Sequence, residues 1–296
     1  MKKLIVLGIS ALALVATAGA VQAADVPTKQ EGRVWIDQNF VLAFSPEWSL
    51  TTMPGARAEF ARSREGKGGL QFLELFFGPN YTYRTGNWTI KGSLWYYYMG
   101  YPQRGRTKDS PTADNCSTKP LDDTKSLYCT STYNFSHNLE IIPSAEYRWG
   151  RWSIYDRVIF HNTFYADVYS TPDPTASVAD QRLGWGTVLR ELLSGRFAIS
   201  DRLGVSLMDE VFIGIIEDGD TKNVPNGYTP TGYWKHGFRA NRTYLGIDYK
   251  VTPNFTIAPM YMVEIGLSPT DSTDVTDIAH TLFMVATITA STFGNK

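Results

Sequence analysis

The chain has 296 residues, of which 43% are hydrophobic, 14% aromatic and only 19% charged, with a formal net charge of -1. Aromatic side chains in this proportion can bury enough surface to offset the entropy of ordering, which excludes a disordered polypeptide. A balance so near neutral leaves no basic field to hold a phosphate backbone, which excludes nucleic acid as a partner.

The chain opens on Met1-Lys2-Lys3, a short positive segment, followed by an apolar stretch from Leu4 to Ala20 and the small-x-small sequence Val21-Gln22-Ala23. That order predicts a signal peptide over 1–23, cleaved near Ala23. An N-terminal membrane anchor is the rival reading, and no lipobox cysteine accompanies it. Past Ala23 no stretch approaches the roughly 18 apolar residues of a membrane helix. An exported chain of this kind is periplasmic, secreted or an outer-membrane barrel. Residues 24–33 are read as an N-terminal periplasmic or lumen segment, and 34–296 as the body of the protein.

Periodicity separates the three. In Phe135–Trp149 the odd positions Leu139, Ile141, Tyr147 and Trp149 are apolar, while the even positions include Ser136, Asn138, Glu140, Glu146 and Arg148. This is the two-residue period of a strand. The same alternation marks Val34–Phe44, Trp48–Ala61, Leu70–Arg84, Trp88–Tyr101, Trp152–Tyr169, Arg182–Ser200, Leu203–Glu217, Phe238–Val251, Phe255–Leu267 and, more weakly, Ile278–Phe293. Each segment has 11 to 19 residues. Strands of soluble proteins usually run about 5–6 residues, whereas a tilted membrane strand needs about 9–11 plus extensions into water. Trp48, Trp88, Trp149, Trp152, Tyr101 and Tyr169 lie at segment ends, where interfacial girdles belong.

The connections alternate between short turns (Ser45-Pro46-Glu47, Gly86-Asn87, Gly150-Arg151, near Asp201-Arg202, Thr252-Pro253-Asn254) and longer polar loops at 62–69, 102–132, 170–181, 218–237 and 269–277. The prediction is a transmembrane antiparallel up-and-down β-barrel with short periplasmic turns and outer loops. Eleven segments are visible, but single-chain bacterial barrels have even strand numbers. The expectation is therefore about twelve strands, with ten as the fallback. Cys116 and Cys129 fall in the longest loop. In an exported chain, so close a pair is expected to form a disulfide rather than remain as two thiols.

With the more apolar face toward lipid, the inward acids are Asp37, Glu59, Glu74, Glu140, Glu146, Glu210, Asp248 and Glu264. The inward bases are Arg57, Arg84, Lys91, Arg148, Arg157, Arg190, Arg196 and Arg242. Turn geometry sets Arg242 opposite Glu264, Asp37 diagonal to Arg57, and Glu146 diagonal to Arg157; opposite charges across strands attract at such distances. The same register sets Val251 opposite Phe255. Such pairs either fill a narrow barrel or line a solute path with a charge filter. Asp156, Glu191 and Asp209 break the pattern by facing outward, which points to β-bulges or a local error of parity.

No catalytic set emerges. His137 faces outward with Asn162 diagonal to it, but no outward serine joins them, and a nucleophile needs its base within reach. His161, His236 and His280 lack metal-ligand spacing. Asp218, Asp220, Asp271, Asp274 and Asp277 offer loop carboxylates to Ca2+ or lipopolysaccharide, a weak signal because loop acids are usually just solvated. No metal and no cofactor is expected.

The stretch Met208-Asp209-Glu210-Val211-Phe212, followed after a polar loop by Asn241-Arg242-Thr243-Tyr244-Leu245-Gly246-Ile247-Asp248-Tyr249-Lys250, resembles an uncharacterised family of bacterial outer-membrane barrels, a domain of unknown function. The likeness is sharpest over 203–265. It implies an outer-membrane β-barrel and no particular activity. The chain departs from the pattern in ending Gly294-Asn295-Lys296 after Phe293, where barrels commonly finish on an aromatic residue. The expected role is a narrow small-solute channel or structural barrel; the alternative is a lipid-acting enzyme of phospholipase or deacylase type. Its expected partners are outer-membrane lipids and lipopolysaccharide, periplasmic chaperones, the assembly machinery, and a small solute.

Overall fold

The computed structural model describes residues 29–62, 69–100, 135–168, 181–216, 236–267 and 275–293. The signal-peptide segment 1–23, the Cys116 and Cys129 pair, and the loop acids Asp218, Asp220, Asp271 and Asp274 lie outside the described residues. Eleven strands close one barrel: β1 (Lys29–Ala43), β2 (Trp48–Arg62), β3 (Gly69–Thr85), β4 (Trp88–Gly100), β5 (Phe135–Trp149), β6 (Trp152–Val168), β7 (Gln181–Ala198), β8 (Leu203–Ile216), β9 (Gly237–Thr252), β10 (Phe255–Leu267) and β11 (Val275–Ser291).

Successive strands pair antiparallel around the ring, and the ring closes where β1 pairs with β11 in parallel, from Lys29 opposite Asp277 to Ala43 opposite Ser291. The expectation of about twelve strands rested on even parity. Among the described residues eleven suffice, because the two end strands of an odd-numbered meander point the same way and can share a parallel ladder. The up-and-down pattern therefore departs from antiparallel pairing at one seam. β1 also begins at Lys29 rather than Val34, so residues 29–33, read from sequence as a separate N-terminal segment, are wall. Asp277, expected in a loop, belongs to β11.

Outward positions carry the apolar belt. Ile36, Phe40, Leu75, Phe77, Leu94, Ile141, Ile154, Phe160, Leu207, Leu245, Tyr261, Leu282 and Met284 are all exposed on the barrel's outside. At the short-turn end the belt finishes in aromatic pairs: Trp48 with Tyr81 at 5.0 Å between ring centroids, Trp88 with Tyr147 at 4.8 Å, and Trp152 with Phe197 at 4.7 Å. Exposed apolar surface on this scale would aggregate in water. A bilayer is the solvent that suits it.

Short turns pin the strand register. Gly86 and Gly150 hold φ of 55° and 57°, the left-handed region that two-residue hairpins require and glycine enters without penalty. At the two longer turns Ser45 Oγ accepts from the backbone N–H of Glu47 and Trp48, and Ser200 Oγ from those of Arg202 and Leu203. At the β9–β10 turn the structure corrects the expected register. Thr252 faces Phe255, a bulge follows, and Val251 is the residue left over; beyond it Tyr249 faces Ile257 and Arg242 faces Glu264 as their spacing implies.

Candidate functional site in the barrel interior

Inward side chains near the middle of the strands form a continuous layer that crosses the lumen. Glu210 on β8 is its hub. Arg190 donates to Glu210 Oε1 at 2.8 Å and Arg157 at 3.3 Å, Tyr244 Oη donates to Oε2 at 2.7 Å, and Arg242 Nη1 stands 3.7 Å away. Arg242 also donates to Glu264, and Arg33 reaches the same carboxylate at 3.1 Å. On β5 and β6, Glu140 lies 2.7 Å from His161 Nδ1 and 3.5 Å from Arg190. Thr163 Oγ1, 3.1 Å from His161 Nε2, donates its own proton to Asn138 Oδ1. On the opposite wall Arg57 forks onto Glu74 at 2.7 and 2.9 Å, and Tyr97 Oη donates to Glu74 at 2.7 Å.

Aromatic rings tie these charges together. The Arg57 guanidinium sits 3.8 Å from the Trp35 ring centroid, and Arg242 lies 5.0 Å from Trp35 and 4.4 Å from Phe212. Trp35 on β1 belongs to one buried cluster with Leu192 on β7, Tyr244 on β9 and Met262 on β10. β1 and β7 stand on opposite sides of the ring, so these side chains meet across the lumen. Glu210 and Met262 are 0% exposed and Glu140 is 1% exposed. The layer is dry. Toward the short turns the inward positions turn small and polar: Thr51, Asn80, Ser93, Ser144, Ser153 and Ser194 are all buried, and Asn80 accepts from Ser93 Oγ at 2.7 Å and Trp95 Nε1 at 3.0 Å.

The charges expected in the lumen divide by height. Asp37, Arg57, Glu59, Glu74, Glu140, Arg157, Arg190, Glu210, Arg242 and Glu264 lie in or beside the central layer. Lys91, half-buried and 5.8 Å from the Trp95 ring centroid, stands level with Arg157 in the ladder, while Arg84, Glu146, Arg148, Arg196 and Asp248 mark the short-turn rim. Arg84 is exposed and donates to Pro46 O, Arg148 is 68% exposed in its side chain, and Arg196 forks onto Asp248 at 2.7 Å through both nitrogens. One expected partnership changes. Glu146 is diagonal to Arg157 in register but pairs with Arg148 at 2.7 Å, while Arg157 turns to Glu210. Asp37 is diagonal to Arg57 as expected, and Arg57 also forks onto Glu74.

Sequence reading missed Arg33, which pairs with Glu31 and Glu264 and lies 4.0 Å from Glu59. Reading 24–33 as a periplasmic or lumen segment rather than as wall hid it, although its parity with Trp35 and Asp37 points inward. His161 was missed as a lumen partner because it was weighed only for metal spacing. It sits directly opposite Glu140 in the ladder, and that register was the available signal.

Asp156, Glu191 and Asp209 do face outward, without the expected bulge. Asp156 and Asp209 both oppose Leu193 on the central strand β7, and the register shifts of the sheet lie elsewhere, mostly near strand ends. Asp209 is held by Asn241 Nδ2 at 3.0 Å and Thr243 Oγ1 at 3.1 Å. The outward His137 lies 2.5 Å from Tyr96 Oη, and Asn162 donates to Leu139 O and accepts from Thr187. Among the described residues no group of three or more His, Cys, Asp or Glu could hold a metal ion.

No family model matches the chain, so the resemblance read from 208–212 and 241–250 has no model behind it. No curated protein matches it either. Among solved structures it is similar to the outer membrane channel DcaP of Acinetobacter baumannii, at 9% sequence identity and a TM-score of 0.35. That match covers 84% of this chain and 60% of the channel, so the chain spans less than two thirds of that protein's length.

Proposed function

We propose that the chain is a bacterial outer-membrane β-barrel whose interior is closed, a structural barrel rather than an open channel for small solutes. One observation carries this reading: Glu140, Glu210 and Met262, on three different strands at mid-height, are at most 1% exposed. A water-filled pore of the kind that larger barrels enclose leaves its lining residues wet, whereas a small barrel fills with side chains. Here arginines, carboxylates and rings from β1, β7, β8, β9 and β10 occupy the same layer. Outside, the exposed aliphatic belt with its aromatic rim suits outer-membrane lipid, with lipopolysaccharide at the loop end. Such a wall reaches its membrane through periplasmic chaperones and the barrel assembly machinery.

Purified, refolded protein in planar bilayers tests the proposal. No regular conductance steps are expected from the wild type. Charge-removing variants that dismantle the central layer, Glu210→Ala with Arg242→Ala, are expected to produce steps if they fold. Regular steps from the wild type overturn the closed reading in favour of a solute channel. A phospholipid-hydrolysis assay on the same preparation tests the lipid-enzyme alternative built on His137 and Asn162.

A further inference from the structure

Charge is spread unevenly over the outside of the barrel. Among the described residues, strand alternation turns three charged side chains outward: Asp156 on β6, Glu191 on β7 and Asp209 on β8. They lie on adjacent strands and in two neighbouring rows of the sheet. Asp156, Leu193, Asp209 and Thr243 make one row, and Val158, Glu191, Val211 and Asn241 make the next. Asn241 and Thr243 donate to Asp209. Among the described residues no side chain donates a hydrogen bond to Glu191 or Asp156. Across the ring on β3, by contrast, every outward position from Leu73 to Tyr83 is apolar or aromatic.

The polar rows stand inside the apolar belt. The next row toward the short turns is Ile154, Gly195, Leu207 and Leu245. Leu207 and Leu245 are 61% and 62% exposed, and Ile154 47%. A Cβ on Gly195 would meet nothing within 4 Å, so the row has a hollow between two prominent side chains. Polar groups facing hydrocarbon are costly unless something bonds to them. Membrane-spanning helices associate through small residues that allow close approach and polar groups that bond across the contact. This face of the barrel carries both.

We infer that the outward face of β6–β9 is an interface for a second copy of this chain, related by a two-fold axis along the membrane normal between β7 and β8. Such an axis preserves depth and exchanges the two strands, so the contact is isologous. Gly195 and Leu207 are ladder partners, and the axis places Leu207 of each copy over the Gly195 hollow of the other. Further from the short turn, Glu191 of each copy reaches the Asp209, Asn241 and Thr243 group of the other. The amide of Asn241 and the hydroxyl of Thr243 are neutral donors of the kind that Glu191 lacks in its own chain. Glu191 and Asp209 are both carboxyls, and two of them in contact cannot both ionise, so one proton is shared between them. The face supplies the hollow and the side chain that fills it, the acceptor and the donors. That is what a self-pairing surface requires.

The test uses the refolded full-length mature protein in lipid vesicles. Donor- and acceptor-labelled copies are mixed, and energy transfer is followed as added lipid dilutes the protein. Transfer is expected to fall along a two-copy isotherm. Gly195→Leu, which fills the hollow without meeting its own chain, should move the midpoint at least about tenfold toward higher protein density, equivalent to about 1.4 kcal/mol. Glu191→Leu should do the same. Neither change should lower stability in dilute vesicles, where lipid covers the face. Gly92→Leu on β4, exposed and with the same open space around it, should associate as the wild type does. Benzoylphenylalanine placed at position 207 should cross-link under ultraviolet light to β7 or β8 of a second copy, and at position 94 on β4 it should give monomer. Absence of transfer at every density, an assembly of more than two copies, equal weakening by Gly92→Leu, or wild-type association of Gly195→Leu overturns the proposal. The inference rests on the membrane placement, which flotation of the refolded protein with vesicles checks separately, and not on a closed lumen.

Discussion

At the residue scale the interior is organised by who lacks a partner when one group is removed. Glu210 receives Arg157, Arg190 and Tyr244 and stands beside Arg242. Breaking a buried ion pair by removing one member typically costs about 3–5 kcal/mol, because the remaining charge stays buried. Glu210→Gln is expected to lose stability on that scale, read from urea unfolding of the refolded barrel in lipid vesicles. A loss below about 1 kcal/mol would show that the layer is hydrated. Arg242 and Glu264 give a subtler case. Their direct pair implies that the double change to glutamine costs less than the two single changes added together. Yet Glu264 also holds Arg33, and Arg242 also stands beside Glu210, so the double variant should recover only part of the loss. Strict additivity in a double-mutant cycle would place the two side chains apart.

Single elements show where backbone, rather than charge, sets the limit. At Gly78 on β3 a Cβ would lie 2.0 Å from Leu94 O and 2.7 Å from Trp95 Cα. Both are backbone atoms of β4, so neither can swing away. Gly78→Ala is expected to destabilise by at least the roughly 1–3 kcal/mol of an overpacked core, whereas Gly92→Ala on the partner strand, with open space around it, should change little. The outward acids pose the opposite question. Asp156 lies on β6 between the exposed Ile154 and Phe160. An acid facing hydrocarbon costs somewhat less than the roughly 2–4 kcal/mol of a basic residue there. If lipid covers that face, Asp156→Leu should stabilise the barrel by about 1 kcal/mol in the same vesicle assay. A loss of stability would show that something other than lipid meets the carboxylate.

The whole molecule depends on the parallel seam. Ile36 on β1 and Met284 on β11 are direct partners, and both are exposed on the outside. Cysteines at these two positions should cross-link within one chain on mild oxidation, giving a species of altered gel mobility that reductant reverses. A strand inserted between β1 and β11 would hold the two positions about twice the 4.8 Å inter-strand spacing apart, beyond the reach of a disulfide. Absence of the cross-link in a folded barrel would therefore restore the twelve-strand count.

Strand identity and facing were legible in the amino-acid order, because a two-residue period over 11 to 19 residues has few rival explanations. Glu140, Glu210 and Arg242 were assigned inward by parity alone, and the Arg242–Glu264 ladder position by counting from a turn. What parity cannot convey is distance across the ring. Arg157 lies diagonal to Glu146 along the chain's local geometry but reaches Glu210 on β8, two strands away, because guanidinium groups are long and the lumen is narrow. Closure by eleven strands, and the buried central layer, likewise exist only after β1 meets β11. The hydrophobic pattern specifies each strand's faces through its immediate neighbours. Which charges finally touch is decided by the diameter of the closed ring, a property that no single strand possesses.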